Sequence, residues 1–279
     1  MGRVKVNKQT ITGCMIVQDE EKWIEYSIDG PLQIYDSLIV VDGGSTDSTL
    51  DIIRDKIHQY GREDDVLLIH NKFEHLNNQR NIYLEESQTD WIHYIDADEV
   101  YKLEHLINIR DTYIQNPKLS CLQVRSHHFW HDFWHVSIND AFENSYLMPK
   151  VFRNIEGHMH YQDYEPKLGD HTLFVNDVYF MEYWKGFFKL FNKDELVCYH
   201  YGHARTSERM KRKIEFFLGQ DEPEVPKEKY EERIKEAGWF DPQWLKGVNC
   251  DPVTVKKFDK DHPEVMKSHP MYHIVKIND

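Results

Sequence analysis

Asp96-Ala97-Asp98 is the sharpest chemical feature of this 279-residue chain, because two carboxylates one residue apart at the end of an apolar run can reach a common cation. An all-oxygen pair suits a hard divalent ion, Mg2+ or Mn2+, of the kind that also holds substrate phosphates. Taken alone the triplet is weak and reads more readily as a solvated loop. Two neighbours raise it: the apolar Tyr94-Ile95 would bury the approach, and an independent carboxylate, Asp42, closes a second apolar run, Leu38-Ile39-Val40-Val41.

These residues need elements that bring them together. From Ile11 to Asp98 apolar runs alternate with helical stripes, the pattern of a mostly parallel sheet with helices on both faces. Strands are expected at Cys14–Val17, Leu38–Val41, Val66–Ile69 and Trp91–Ile95. Helices are expected after Trp23, over Leu50–Tyr60 and over Asn77–Glu86. Three of the strands end in acidic or amide residues, and open α/β sheets bind ligands outside the carboxyl ends of their strands. Beyond Glu99 the alternation loosens into a helix at Leu103–Tyr113 and strands near Cys121–Val124, Lys150–Arg153 and Val197–Tyr199.

With 34 Lys+Arg against 48 Asp+Glu the net charge is −14, which opposes attraction to nucleic acid or anionic bilayers, so a phosphate-bearing ligand needs a local cation. The cysteines at 14, 121, 198 and 250 lack metal-site spacing and read as buried thiols of a reducing compartment. No apolar run of about 18 residues is present, so no membrane span and a cytoplasmic location are expected.

The blocks Ile16-Val17-Gln18-Asp19-Glu20-Glu21, Leu38 to Thr49, Gln79-Arg80-Asn81 and Asp90 to Glu99 agree in order and spacing with a known pattern. The chain resembles the family-two inverting glycosyltransferases of the GT-A fold over roughly its first hundred residues. That resemblance implies that Asp42 hydrogen-bonds the nucleotide base, that Val17, Gln18 and Glu20 line base and ribose, and that Arg80 lies near the base or the diphosphate. It implies a DxD metal motif, with Asp96 leaning to the ribose and Asp98 to the Mn2+ or Mg2+ ion. Asp19 departs from the family's usual Asn. Residues 1–220 are expected to form the catalytic domain, with 11–100 binding the nucleotide and 101–220 the acceptor, before a peripheral helical tail over 221–279.

The implied reaction moves a sugar from a nucleotide-diphosphate donor, most often a UDP-sugar, to a hydroxyl of a glycan or glycoconjugate acceptor. Inversion needs a base opposite the leaving group. Asp163, then Glu165, then His160 are the candidates, with His158 in the same loop; the family's Gly-X-X-His-Glu is replaced here by Met159-His160-Tyr161-Gln162-Asp163. His203, with Arg205 close by, would complete the cation's coordination, unless His200-X-X-His203 only ends a buried strand. The run from His127 to His135 reads either as an aromatic acceptor platform or as core, and only distantly as a zinc site. Trp184 to Phe191 reads as a buried aromatic cluster or, less well, as a peripheral membrane contact. Two other readings stay open: a sugar-phosphate nucleotidyltransferase, which the acidic Gln18-Asp19-Glu20 disfavours, and a carbohydrate-binding module without turnover.

Overall fold

The computed structural model describes residues 8–130, 132–138, 149–162, 172–184, 186–191, 195–204 and 255–275. The chain divides into two units, one of residues 1–125 with 148–197, the other of 126–147 with 198–279.

The first unit is built on seven strands: β1 (Ile11–Val17), β2 (Ser37–Asp42), β3 (Val66–His70), β4 (Trp91–Tyr94), β6 (Cys121–Gln123), β9 (Pro149–Arg153) and β13 (Phe188–Leu190), with the two-residue β5 (Glu99–Val100) following β4. Their order is β13-β6-β9-β4-β1-β2-β3. The run β3-β2-β1-β4 is parallel, so four carboxyl ends share one edge, and β9 enters antiparallel between β4 and β6. Central strands β1 and β2 are almost wholly apolar because both faces are covered.

Helix α3 (Leu76–Glu86) supplies Tyr83 and Leu84 to the core around Cys14, Ile39, Val41, Ile92 and Phe152. Helix α1 (Ile24–Ile34) lies against the other face of β1 at Gly13, where a Cβ would come within 2.6 Å of Leu38 Cδ1 and 3.1 Å of Tyr35 Cδ2. Helix α2 (Thr49–Tyr60) packs on α1 and stops at Gly61, whose φ of 60° supplies the left-handed cap. The expected helix over 103–113 is α4 (Leu103–Asn108) continued by a π-turn over Ile109–Tyr113. A small antiparallel sheet, β10 (Met159–Gln162), β11 (Thr172–Val175) and β12 (Val178–Tyr179), completes the unit. Its second hairpin turns on Asn176 and Asp177, both at positive φ (49° and 62°), which suits the twist of a two-residue connection.

His93 on β4 is fully buried, and the Tyr35 hydroxyl is 2.6 Å from its Nδ1. Burial holds its pKa well below the ordinary value, with the Lys150 charge adding to the effect. The folded state therefore binds fewer protons than the unfolded chain once pH falls below about 6.5, and stability drops as pH falls through that value. Urea denaturation at pH 7.5 and 5.5 is expected to show this loss at up to about 1.4 kcal/mol per pH unit, and His93→Phe is expected to flatten that part of the slope.

In the second unit β7 (Arg125–Trp130), β8 (His135–Ser137), β14 (Val197–His203) and β15 (Val255–Lys257) are ordered β15-β8-β7-β14. The aromatic and histidine run expected as an acceptor platform or as core is core. Phe129 and Phe133 are fully buried, and Phe129 stacks on Tyr201 with ring centroids 4.6 Å apart. Where a peripheral helical tail was expected, the described residues 255–275 form a strand paired with β8 and a 3₁₀ turn over Glu264–Ser268. Phe258, His262 and Met266 of this segment are buried, and Pro263 interrupts the stripe that their spacing would otherwise make helical.

Cys14, Cys121 and Cys198 are buried, as expected, and Cys250 lies outside the described residues. The segment expected as a buried aromatic cluster is split. Phe191 is buried, while Phe188 and Leu190 on edge strand β13 are 42% and 37% exposed and Phe187 just before it is 53% exposed. Among the described residues no helix is long and apolar enough to cross a membrane.

Candidate active site

Asp42 ends β2 and the Asp96 turn follows β4, so the two sit at the carboxyl ends of the strands that flank β1, roughly 10 Å apart by strand spacing. Val17 ends β1 between them, and its carbonyl accepts the Gly43 N–H at 2.8 Å.

The Asp42 carboxylate is fully buried and already engaged. It accepts the Gly44 N–H at 3.0 Å and the Ser45 N–H at 3.1 Å, and its Oδ2 is 2.6 Å from His70 Nδ1. Asp42 thus builds the glycine turn that follows it, with Gly44 at φ 99°. Asp42→Asn turns an amide NH₂ toward these donors, and we expect a loss of about 1–3 kcal/mol in urea denaturation with the fold retained.

The loops after β1 and β2 are knitted together. Asp19, at φ 52°, accepts the Thr46 N–H at 2.7 Å and the Asp47 N–H at 3.3 Å, and its own N–H donates to Ser45 Oγ at 3.0 Å. The acidic side chain in place of the family's usual Asn therefore has a local role, since both residue types tolerate this backbone and both accept amides. The Glu20 N–H donates to Thr49 Oγ1 at 2.7 Å, while Gln18 is exposed and lies against Gly43.

Arg80 projects from α3 and is buried, 5.2 Å from the Tyr94 ring centroid and 5.5 Å from that of Tyr161. Its Nη2 is 3.5 Å from Asp96 Oδ1, and its buried Nη1 has no hydrogen-bond partner among the described residues. Asp96 is also approached from the other side, by Lys150 Nζ at 3.6 Å from Oδ2. Lys150 donates to both Glu99 oxygens at 2.6 and 2.8 Å, and Glu99 Oε2 accepts the Asp96 N–H at 3.1 Å. Burial pushes the Glu99 carboxyl upward, and the Lys150 ammonium pulls against it. Asp98 is 7% exposed.

Among the described residues no group of three or more His, Cys, Asp or Glu is arranged to hold a metal ion. The oxygen donors of Asp96 and Asp98 nonetheless fit Mg2+ or Mn2+, which bind through one or two carboxylates together with substrate phosphates and water. His203 belongs to the second unit, where its ring packs tilted against Trp130 with centroids 4.2 Å apart, and Arg205 lies outside the described residues.

Asp163 and Glu165 also lie outside the described residues. The strand leading to them is fixed to α3: Asn81 Nδ2 donates to the Tyr161 carbonyl at 3.0 Å, and the Tyr161 N–H donates to Asn81 Oδ1 at 2.6 Å. Arg80 and β10 are thereby neighbours. His160 is stacked on Phe174 with its Nε2 3.2 Å from Gln162 Oε1, and His158 pairs with Asn176 at 2.8 Å. His70 and Lys150 stand beside the carboxylates of Asp42 and Asp96 but belong to none of the sequence motifs. His70 directly follows the apolar run Val66–Ile69 and obeys the same strand-end rule that singled out Asp42.

A protein-family model described as Glycosyl transferase family 2 matches residues 14–189. The SPbeta prophage-derived glycosyltransferase SunS of Bacillus subtilis is 32% identical over 105 residues, which is 37% of this chain and 24% of that protein. The matched part thus spans about a quarter of that relative's length. Among solved structures, S. aureus TarS 1–349 in complex with UDP-GlcNAc aligns at TM-score 0.46 and 14% identity, over 86% of this chain and 79% of that one. The mannosyltransferase PcManGT of Pyrobaculum calidifontis, in complex with GDP-Man and Mn2+, aligns at TM-score 0.44 and 12% identity, over 96% and 69%.

Proposed function

This chain belongs to glycosyltransferase family two, and from that premise we propose that it transfers a sugar, with inversion, from a nucleotide-diphosphate sugar to a hydroxyl of a glycan or glycoconjugate acceptor. A UDP-sugar is the preferred donor in this reading. Residues 11–100 bind the nucleotide, and the segment after β10 carries the base.

What supports the reading is the shared sheet edge, where the loop built by Asp42 and the carboxylates of Asp96 and Asp98 stand at the ends of strands flanking β1. Val17, Gln18 and Glu20 line the nucleotide from the β1 loop. Asp42 acts mainly through the turn it shapes, its carboxylate having room for about one further donor, such as a base N–H. Arg80, buried against two tyrosine rings and 3.5 Å from Asp96 Oδ1, sets a positive charge beside the diphosphate or base. Asp96 and Asp98 would hold the Mn2+ or Mg2+, which when bound offsets charge developing on the departing diphosphate. Asp163 takes the proton from the acceptor hydroxyl, with Glu165 as the neighbouring carboxylate.

A thermal-shift panel of UDP, GDP and their sugars, with and without Mn2+, tests this. At a ligand excess of about a hundredfold over Kd, stabilisation of about 2.7 kcal/mol is expected, read as a shift of several degrees that depends on Mn2+. No shift with any nucleotide at any Mn2+ concentration would overturn the donor-site reading.

A further inference from the structure

Lys150 is buried on β9, antiparallel to β4, and lies 51 residues from Glu99 in sequence. Its Nζ lies 2.6 and 2.8 Å from the two Glu99 oxygens, 3.9 Å from the Tyr94 ring centroid and 3.6 Å from Asp96 Oδ2. Glu99 in turn holds the Asp96 N–H at 3.1 Å. The Asp96 carboxylate is therefore set between two built-in cations, Arg80 on Oδ1 and Lys150 on Oδ2. An ion pair serving only the fold has no need to touch the carboxylate beside it. A buried apolar side chain at 150 and a neutral one at 99 would fill the same space without the cost of desolvating two charges.

We propose that Lys150, paired with Glu99, is a positioning residue of the donor site: it orients Asp96 and keeps a resident positive charge beside the carboxylate pair that receives the cation and diphosphate. The assignment rests on the donor-site reading above. Glu99 restrains the ammonium from moving fully onto Asp96, so Asp96 stays oriented. Residues that orient a metal ligand commonly change metal affinity by about 10- to 100-fold when replaced.

The test uses the full chain, with Mn2+ and UDP or GDP as probes followed by calorimetric titration. The double variant Lys150→Met with Glu99→Gln removes both charges together, so no buried charge is left alone. It is expected to melt within a few degrees of the wild type and to bind the Mn2+–nucleoside diphosphate about 10- to 100-fold more weakly. Lys150→Arg, which keeps the charge, is expected to recover most of that loss. Glu99→Gln alone frees the ammonium to move onto Asp96 and is expected to weaken Mn2+ binding in the same direction. It decides the matter should the double variant not fold. Affinities within twofold of wild type in the folded variants would overturn the positioning role while leaving the donor site intact. A wild type that binds neither nucleotide with Mn2+ would overturn the donor-site reading itself, and this proposal with it.

Discussion

Asp98→Asn is expected to fold like the wild type and to lose sugar transfer by about 10²- to 10³-fold. The substitution keeps the shape of the side chain and removes one of three carboxylates crowded into residues 96–99, so mutual repulsion falls. The catalytic cost has a different origin. A cation on a departing diphosphate contributes several kcal/mol of charge stabilisation, and each 1.4 kcal/mol is about tenfold in rate. An amide oxygen in place of a carboxylate holds Mn2+ poorly. Initial rates across a Mn2+ series check this: the variant should need far more Mn2+ than the wild type. Wild-type turnover of Asp98→Asn, or full wild-type activity in excess chelator, would remove the metal from the account.

Asp163→Asn is expected to leave nucleotide binding unchanged and to lower kcat by about 10²- to 10⁴-fold, the usual contribution of a positioned base. The expectation follows from the anchoring of β10. The reciprocal pair between Asn81 and the Tyr161 backbone ties this strand to the helix that carries Arg80, two residues before position 163. A base acts on the acceptor hydroxyl and makes no contact with the nucleotide, so KM for the donor should stay near wild type while kcat falls. Glu165→Gln is the comparison. A fall confined to Glu165→Gln would move the base two residues along, and wild-type kcat in both variants would take the base out of this loop.

The parallel half of the sheet could be read directly from the residues, because strands such as Leu38–Val41 are continuous apolar runs and the segments between them carry helical stripes and caps. The acidic strand ends followed from the same reading. What each acid does there did not. Asp42 and Asp19 spend their carboxylates on amides of the turn between β2 and α2, a matter of backbone geometry that residue type alone leaves open. Lys150 was invisible for another reason: it meets Glu99 only through the antiparallel pairing of β9 with β4, a long-range contact across about fifty residues of sequence. The run around Phe129 has the same composition whether it faces acceptor or interior, and only its pairing with β8 and stacking on Tyr201 decide for the interior. The exposed Phe188 and Leu190 show the opposite outcome, since edge strand β13 leaves apolar residues uncovered that composition alone would bury.

Anomalous diffraction at the manganese edge, from crystals of this chain grown with Mn2+ and UDP, locates the cation relative to Asp98 and the diphosphate. One strong peak is expected within coordination distance of an Asp98 oxygen and of the diphosphate, with Arg80 beside the nucleotide. A nucleotide bound without metal, or a manganese peak away from residues 96–98, would contradict it.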